Sequence, residues 1–458
     1  LDRRLDLLTS GPGDLPERQR ALRATIDWSY QLLDRDERRL FVRLAVFAGG
    51  CSLEVAENVC RARLDTLSSL VAKSLVHREA LPGGEARFAM LETIREYALE
   101  RLGRGREAEA LRRRHAEHVL QFSEAEPIPD QAAWLRRLDL ELDNVRVALA
   151  WALESGQAEL ALRLAASLWE FWWIRGRLTE GRRWLDWALT QEGEQPKPHR
   201  ARALHAAASL ATRQGDFEGA AKLSENSLRL WEELGDVSGK ARALLSMGTV
   251  AAEQGDRERA RSLSEQAAGL YGEAGDRRGR ALAVSNLGAI ALEEADFSSA
   301  KSLSAEAYAL FEELSDGEGM AFALVNQGYA ALAEGSYDRA LELLRDSMRR
   351  LAELGFQDVI GYCFEGLAAV YTFQGRVKAA ARLLGAAEAL RERLGVELAP
   401  AERETHEETV AAVRSELGGS FSAEWEEGRR MTVDRAVAYA LLEPVGESIR
   451  ATARTQSK

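Results

Sequence analysis

A period of 40 residues in the second half of the chain constrains the fold more than any other feature. A small residue followed by a polar or charged residue recurs five times at this spacing, as Gly215-Asp216, Gly255-Asp256, Ala295-Asp296, Gly335-Ser336 and Gly375-Arg376. A second mark follows within each period, at Leu234-Gly235, Ala274-Gly275, Leu314-Ser315, Leu354-Gly355 and Leu394-Gly395. Two turns in each period predict two helices per repeat.

The residue types at these marks are those that end and begin helices. Glycine can take the left-handed conformation that closes a helix, and the following Asp or Ser can accept from free N–H groups of the next helix. No proline lies between His199 and Ala399, which suits long helices. An alanine follows each first mark at a fixed distance, and we interpret these residues as helix-packing positions: Ala220, Ala260, Ala300, Ala340 and Ala380. The sequence therefore predicts an all-α array.

The order of Gly248, the Gly255-Asp256 turn, Ala260 and Ala267 resembles the tetratricopeptide repeat. The resemblance covers residues 158–398, although the family's terminal proline is missing and each unit is longer than the standard of about 34 residues. Gly176 with Gly181 resembles a divergent first copy, so about six helix pairs are expected to stack into a superhelix. The resemblance implies that ligands bind in an inner groove lined by the first helix of each pair.

Counting from Ala201 and its equivalents as first positions, the expected groove residues are Arg202, His205, Ser209, Arg213, Arg242, Glu253, Tyr329, Tyr362 and Phe373. The basic members gather toward the N-terminal end of the groove. This distribution favours a protein, an acidic or phosphorylated peptide, or a small anionic effector as partner. The alternative is that these residues are ordinary solvated helix faces.

Residues 15–102 have a different pattern, which predicts a winged helix. Helical segments are expected at Arg23–Leu33, Asp36–Phe47, Ser52–Cys60 and Leu64–Lys73. Two short strands, Ser74–Arg78 and Ala86–Met90, then flank a hairpin loop, and a further helix follows at Leu91–Leu102.

The segments Leu15–Tyr30, Leu44–Gly50 and Met90–Ala98 resemble the winged-helix segment of bacterial STAND signal-transduction ATPases, which include LuxR-type and antibiotic-regulator-type proteins. In that family a P-loop ATPase precedes the winged helix, and a tetratricopeptide array follows it. No G-x-x-x-x-G-K-[ST] motif occurs here, so the chain is expected to be a fragment or relic without the motor, and residues 1–14 the end of the ATPase region. The resemblance implies a non-enzymatic sensor and protein-interaction arm whose partner is the upstream ATPase domain.

Met90, Leu91 and Glu92 occupy the place of a Met-His-Asp triplet that senses the β-phosphate of ADP in related ATPases. Leucine cannot donate a hydrogen bond to a phosphate. A packing role for Met90 and Leu91 is therefore favoured over a remnant nucleotide sensor, with Glu92 as a helix-start carboxylate. No cofactor is expected.

A DNA-binding regulator that uses the winged helix is the alternative function. The segment Leu64–Lys73, which corresponds to a recognition helix, offers one acid and one base, whereas base readout needs Arg, Asn or Gln on the exposed face. The net charge of the chain is −12, which also disfavours nucleic acid as a partner.

The remaining patterns predict a cytoplasmic protein without metal, membrane segment or enzymatic site. The three cysteines, Cys51, Cys60 and Cys363, are too scattered for a zinc site or a disulfide framework. Tryptophans are dense between Trp134 and Trp187, which is typical of a bulky core, although a ligand cage is the alternative. Residues 103–157 are expected to be a helical connector, residues 399–443 capping helices and residues 444–458 a polar tail.

Overall fold

The computed structural model describes residues 17–81, 86–103, 106–125, 131–193, 195–395, 398 and 400–442. The expectations for residues 1–14, for the hairpin tip at residues 82–85 and for the tail at residues 444–458 lie outside the described residues. The chain divides into two compact units. The first comprises Leu1–Ala125 and Leu138–Leu160, and the second comprises Glu126–Arg137 and Ala161–Lys458.

The first unit contains the predicted winged helix. Its helices are α1 (Glu17–Gln31), α2 (Arg35–Leu44), α3 (Leu53–Cys60), α4 (Leu64–Ala72) and α5 (Glu92–Leu102), and its strands are β1 (Cys51–Ser52), β2 (His77–Ala80) and β3 (Ala86–Ala89). The strands form an antiparallel sheet in the order β1-β3-β2. The predicted β-hairpin is confirmed. Strand β1 was missed because two residues are too few for an alternating pattern.

The core of the winged helix is apolar and includes Phe41, Leu67 and Leu70, none of which has exposed surface. Cys51 and Cys60 also lie in this core. Burial raises the pKa of the Cys60 thiol to about 12, so this thiol stays neutral at physiological pH. The two cysteines thus behave as small apolar side chains.

Two further helices belong to the first unit: α6 (Arg106–Ser123) and the portion of α7 (Gln131–Glu154) from residue 138 onward. Buried hydrogen bonds connect α7 to the turn that precedes β1. Arg87 donates to Glu141 Oε1 at 2.6 Å and to the backbone oxygens of Gly49 and Gly50 at 2.6 and 2.9 Å. The Arg87 guanidinium is therefore fully supplied with acceptors although it is almost completely buried.

The second unit contains five helix pairs in one register. They are α11 (Lys197–Arg213) with α12 (Phe217–Leu234), α13 (Val237–Glu253) with α14 (Arg257–Ala274), α15 (Arg277–Glu293) with α16 (Phe297–Glu313), α17 (Gly317–Ala333) with α18 (Tyr337–Leu354), and α19 (Gln357–Phe373) with α20 (Val377–Leu394). Before them lie α8 (Ala158–Ser167), which starts in the first unit, α9 (Trp169–Ile174) and α10 (Leu178–Leu189). After them lie α21 (Pro400–Leu417), a short 3-10 helix (Gly418–Ser420), α22 (Phe421–Arg429) and α23 (Val433–Leu442). The predicted all-α repeat fold is confirmed.

In most copies of the repeat, the residues at the two marks end one helix and begin the next, as the sequence predicts. The carboxylates of Asp256 and Asp276 accept from backbone N–H groups three residues later, at 3.2 and 2.8 Å. Gly235 and Gly275 close α12 and α14 in the left-handed conformation. Ser336, in contrast, makes no side-chain cap bond in the array.

Close packing explains the small residues of the repeat. The five alanines at the fixed distance from the first marks have no exposed surface, as expected of packing positions. A further small residue was not singled out in the sequence: a Cβ on Gly279 would lie 2.2 Å from the ring of Tyr271, and one on Gly319 would lie 2.2 Å from the ring of Phe311. A large buried residue on one helix therefore requires a glycine on the next.

Candidate functional site

The first helices of the array surround a cavity of about 1310 Å³ in the second unit. Seven of the nine residues predicted from register line it: His205, Ser209, Arg213, Arg242, Glu253, Tyr329 and Tyr362. Residues at equivalent positions line it together, as Arg242, Leu282, Phe322 and Tyr362 illustrate. The 40-residue period thus places the same face of successive first helices along one wall of the cavity.

Two predicted groove residues do not line this cavity. Arg202 is exposed on α11, and Phe373 is 58% exposed, with its ring stacked on Tyr337 at a centroid distance of 3.5 Å. These residues lie on the first and last of the five in-register first helices. Register counting does not place these two residues in the cavity, although His205 and Arg213 on α11 and Tyr362 on α19 do line it.

Helix α9 supplies aromatic residues to the cavity. Trp169 and Trp173 both line it, and their rings stack at a centroid distance of 6.0 Å. The guanidinium carbon of Arg213 lies 4.5 Å from the Trp173 ring centroid, so this arginine already has a cation–π partner. Trp172, between them, has no exposed surface. The tryptophan-rich segment is therefore partly core and partly cavity wall.

Acidic groups outnumber basic groups along the cavity. Three arginines line it, Arg213, Arg242 and Arg278. Six carboxylate side chains do so as well: Glu170, Glu253, Asp276, Glu293, Glu318 and Glu365. The basic character inferred from sequence does not describe the whole lining. The count left out α9 and the beginnings of α15 and α17, which supply Glu170, Asp276 and Glu318, and it did not single out Glu293 and Glu365.

The most buried charges of the lining meet where α15 and α17 begin. Arg278 Nε donates to Asp316 Oδ2 at 2.8 Å, and Arg278 Nη2 lies 3.8 Å from Glu318 Oε2. Gln131 Nε2, from the first turn of α7, donates to Glu318 Oε2 at 2.6 Å. Asp316 and Glu318 are 1% and 6% exposed, so these bonds replace hydration almost entirely.

The electrostatics of this cluster are dominated by burial. Burial, reinforced by the nearby Glu170 carboxylate, raises the pKa of Glu318 to about 8. Burial likewise raises the pKa of Glu170. Burial alone would lower the pKa of Arg278, but the surrounding carboxylates outweigh it and raise that pKa. The arginine therefore stays charged while one of the acids holds a proton near neutral pH.

His205 is the one histidine among the predicted groove residues. Burial, together with the charge of Arg242, lowers its pKa to about 3. Its ring lies edge-on to Trp169 at a centroid distance of 5.8 Å. The imidazole is thus neutral at physiological pH, when it can donate from one ring nitrogen and accept at the other.

The three residues at the place of the nucleotide-sensing triplet lie in the first unit. Met90 packs against the winged-helix core. Leu91 is 61% exposed at the start of α5, so the predicted packing role for Leu91 is wrong: the residue caps a helix end that faces outward. Glu92 forms an ion pair with Arg95 at 2.8 Å, and this hydrogen-bonded arginine lowers the pKa of Glu92.

Helix α4, the counterpart of a recognition helix, has few side chains that could form hydrogen bonds with DNA bases. Lys73, at its end, is bound to the carboxylate of Glu37. Arg61, Arg63 and Arg78 are exposed nearby, but they lie outside the helix.

Within the described residues, no group of three or more His, Cys, Asp or Glu side chains is arranged to hold a metal ion. In that same part of the chain, no helix is both long and apolar enough to cross a membrane.

Comparison with known families agrees with this architecture. The winged helix-turn-helix domain family matches residues 33–103, and the tetratricopeptide repeat family matches residues 199–273. The chain therefore contains a winged helix-turn-helix domain followed by tetratricopeptide repeats, and both sequence predictions are confirmed.

Among curated proteins, relatives from Mycobacterium bovis and Mycobacterium tuberculosis, each named as a candidate HTH-type transcriptional regulator, are 38% identical over 230 residues. The match covers 46% of this chain and 25% of each relative, so it spans only a quarter of those proteins.

Among solved structures, a Rap protein complexed with competence and sporulation factor matches 76% of this chain and 92% of its own, with a TM-score of 0.52 and 14% identity. A Pyrococcus horikoshii STAND protein with a tetratricopeptide repeat sensor matches 92% of this chain and 66% of its own, with a TM-score of 0.48 and 13% identity. The likeness to the Rap protein is a likeness of fold.

Proposed function

We propose that the tetratricopeptide array is the non-enzymatic sensor arm of a larger signal-transduction or transcription-regulating protein, and that it binds a peptide or an extended protein segment in its groove. The observation that carries this proposal is the cavity of about 1310 Å³ lined by equivalent faces of the first helices. Small-molecule sites usually occupy about 300–1,000 Å³, so this volume favours a longer ligand.

The dimensions of the array also suit a peptide. Packed helices lie about 8–10 Å apart, and an extended chain advances about 3.3 Å per residue. Five first helices in sequence would therefore span roughly ten residues of ligand. The Rap protein that shares this fold was solved in complex with competence and sporulation factor, which supports a ligand-binding role for such arrays.

A small anionic effector is less well supported than a peptide. Arg202 lies outside the cavity, and Arg213 is engaged with the ring of Trp173. The winged-helix DNA regulator also has less support, because the lysine that ends α4 is held by Glu37. A gel-shift titration with short duplexes distinguishes that function, which requires affinity that falls steeply with salt.

An array of synthetic decapeptides, probed with the full chain, tests the proposal. Ala289 lines the cavity, so Ala289→Arg places a long side chain in the groove. Ala309 is exposed on α16, and Ala309→Arg is the matched control. We expect the wild-type protein and the control to bind the same peptides and Ala289→Arg to lose them. Equal binding by all three proteins, or no bound peptide at all, would overturn the proposal.

A further inference from the structure

We propose that Glu170 and Glu318 form a subsite for an ammonium group of the bound peptide, either a lysine side chain or a free amino terminus. The inference rests on the proposed function, since it names the chemistry that the groove selects. It differs from the anionic ligand that the sequence alone favoured.

The first observation is the juxtaposition of α9 and α17 at the cavity. The rings of Trp173 on α9 and Phe322 on α17 are stacked at a centroid distance of 6.1 Å. Glu170 lies on the same helix as Trp173, and Glu318 lies one turn before Phe322; all four residues line the cavity. Each helix thus presents a carboxylate and an aromatic ring. The carboxylates attract a cation through their charge, whereas the ring of Trp173 is already covered by Arg213 and Phe322.

The second observation is an excess of negative charge. Arg278 bonds to Asp316 and reaches Glu318 only at 3.8 Å. In the part of the chain that the structure describes, Glu170 makes no hydrogen bond, and Arg278 and, more weakly, Arg242 act on it through their charge alone. Three carboxylates therefore face two guanidinium groups, so one negative charge lacks a countercharge.

The other groups around the pair do not supply that charge. Burial raises the pKa of Tyr271 to about 12, so the phenol is neutral. His205 is neutral because its pKa is about 3. Gln131 donates an uncharged amide to Glu318. The missing positive charge must come from a proton or from a ligand.

Proton and ligand compete for the same site. Because the pKa of Glu318 is about 8, this carboxyl holds a proton over much of the neutral range. An ammonium group can replace the proton only when the carboxylate is ionised. For a lysine ammonium, whose pKa is about 10.4, affinity is therefore expected to rise as pH increases from about 6 to 9. For a free amino terminus, whose pKa is about 8, affinity is expected to pass through a maximum at about pH 8.

The test uses the same chain and the tightest peptides from the array of decapeptides. Each peptide is compared with versions in which lysine is replaced by norleucine or the amino terminus is acetylated, which separates the two sources of the ammonium group. Binding is measured by calorimetry at several pH values with wild type, Glu170→Gln and Glu318→Gln. Glu312, exposed on α16, provides Glu312→Gln as the matched control. Circular dichroism melts verify that each variant is folded.

Removing the relevant positive charge is expected to weaken binding to wild type and to Glu312→Gln by about tenfold. In Glu170→Gln and Glu318→Gln the same removal should change affinity by less than about twofold, and Glu318→Gln should lose the rise with pH. Peptides that bind with equal affinity after both modifications, or that lose equal affinity in every variant, would overturn the subsite and leave groove binding intact. An array without any bound peptide would instead remove the proposed function itself.

Discussion

Two buried glutamates, one in each unit, have opposite electrostatic environments. Glu37 in the winged helix and Glu318 in the array are 5% and 6% exposed. Glu37 accepts from Ser69 Oγ at 2.6 Å, is bound to Lys73, and bonds with the backbone N–H of Asp34 at 2.9 Å. These donors, with the lysine hydrogen bond as the largest contribution, lower its pKa to about 2. Glu318 has one amide donor and a distant, shared arginine, and its pKa rises to about 8.

The difference indicates how each unit uses burial. A carboxylate with three donors stabilises the folded state, because its charged form is better solvated by the protein than an unpaired group would be. Burying a carboxylate that has one neutral donor and lies near other acids destabilises the folded state, and packing must offset this cost. The winged helix therefore supplies its buried Glu37 with donors, whereas the array retains unsatisfied charge at the wall of its cavity.

The largest expected effect comes from removing the satisfied carboxylate. Glu37→Ala removes the Glu37 side-chain half of the capping box of α2 and leaves Ser69 and Lys73 without their acceptor. We expect a loss of about 2–3 kcal/mol in the free energy of unfolding of the winged helix. Urea unfolding followed by circular dichroism measures it. Glu57→Ala, on an exposed face of α3, is the control, and an equally small change in both variants would contradict this account of Glu37.

The two glutamates should also give stability opposite dependences on pH. Glu37 has a lowered pKa, so its contribution is fully present above pH 4.5 and is lost as pH falls toward 2. Glu318 has a raised pKa, so the folded state binds more protons than the unfolded state between pH 4.5 and 8. Stability of the array should therefore fall as pH rises through that interval.

Glu318→Gln isolates the second effect. The amide keeps the size of the side chain and can still accept from Gln131, but it cannot titrate. Melting temperatures of the variant and the wild type should be similar near pH 5, and the variant should be the more stable protein near pH 8. A variant that is less stable than wild type at both pH values would show that the ion pair with Arg278 outweighs the cost of burial.

The sequence predicted the repeated parts of the site and missed the parts that are not repeated. The repeat register alone identified His205, Arg242 and Tyr362 as cavity residues, because equivalent positions in successive repeats lie on the same face of the first helix. Glu170 could not be found this way, since α9 lies outside the register. The hydrogen bond between Gln131 and Glu318 joins residues 187 positions apart, and no local pattern encodes such a contact.

The smallest expected effects concern the left-handed residues that end helices in the two units. The array uses glycine at Gly255, at φ 81°, with open space where a Cβ would stand. The winged helix uses Arg61, which closes α3 at φ 57°. A side chain in this conformation costs about 1 kcal/mol, so Gly255→Ala should destabilise the array by about that amount. Arg61→Gly should stabilise the winged helix by a smaller margin of ~0.5 kcal/mol, because the added freedom of the unfolded glycine offsets part of the relief.

Thermal unfolding of Gly255→Ala and Arg61→Gly measures whether the two helix ends differ in backbone strain. Neither substitution is expected to remove a tertiary contact in the described residues: the space at Gly255 is open, and the Arg61 side chain is exposed. Opposite signs of the two shifts would show that the helix end at Gly255 is less strained than the one at Arg61, although Ala295 and Ser315 of the array also take the left-handed conformation without glycine. A loss in both variants would mean that Arg61 contributes through its side chain, and the contrast between the units would then rest on their buried carboxylates alone.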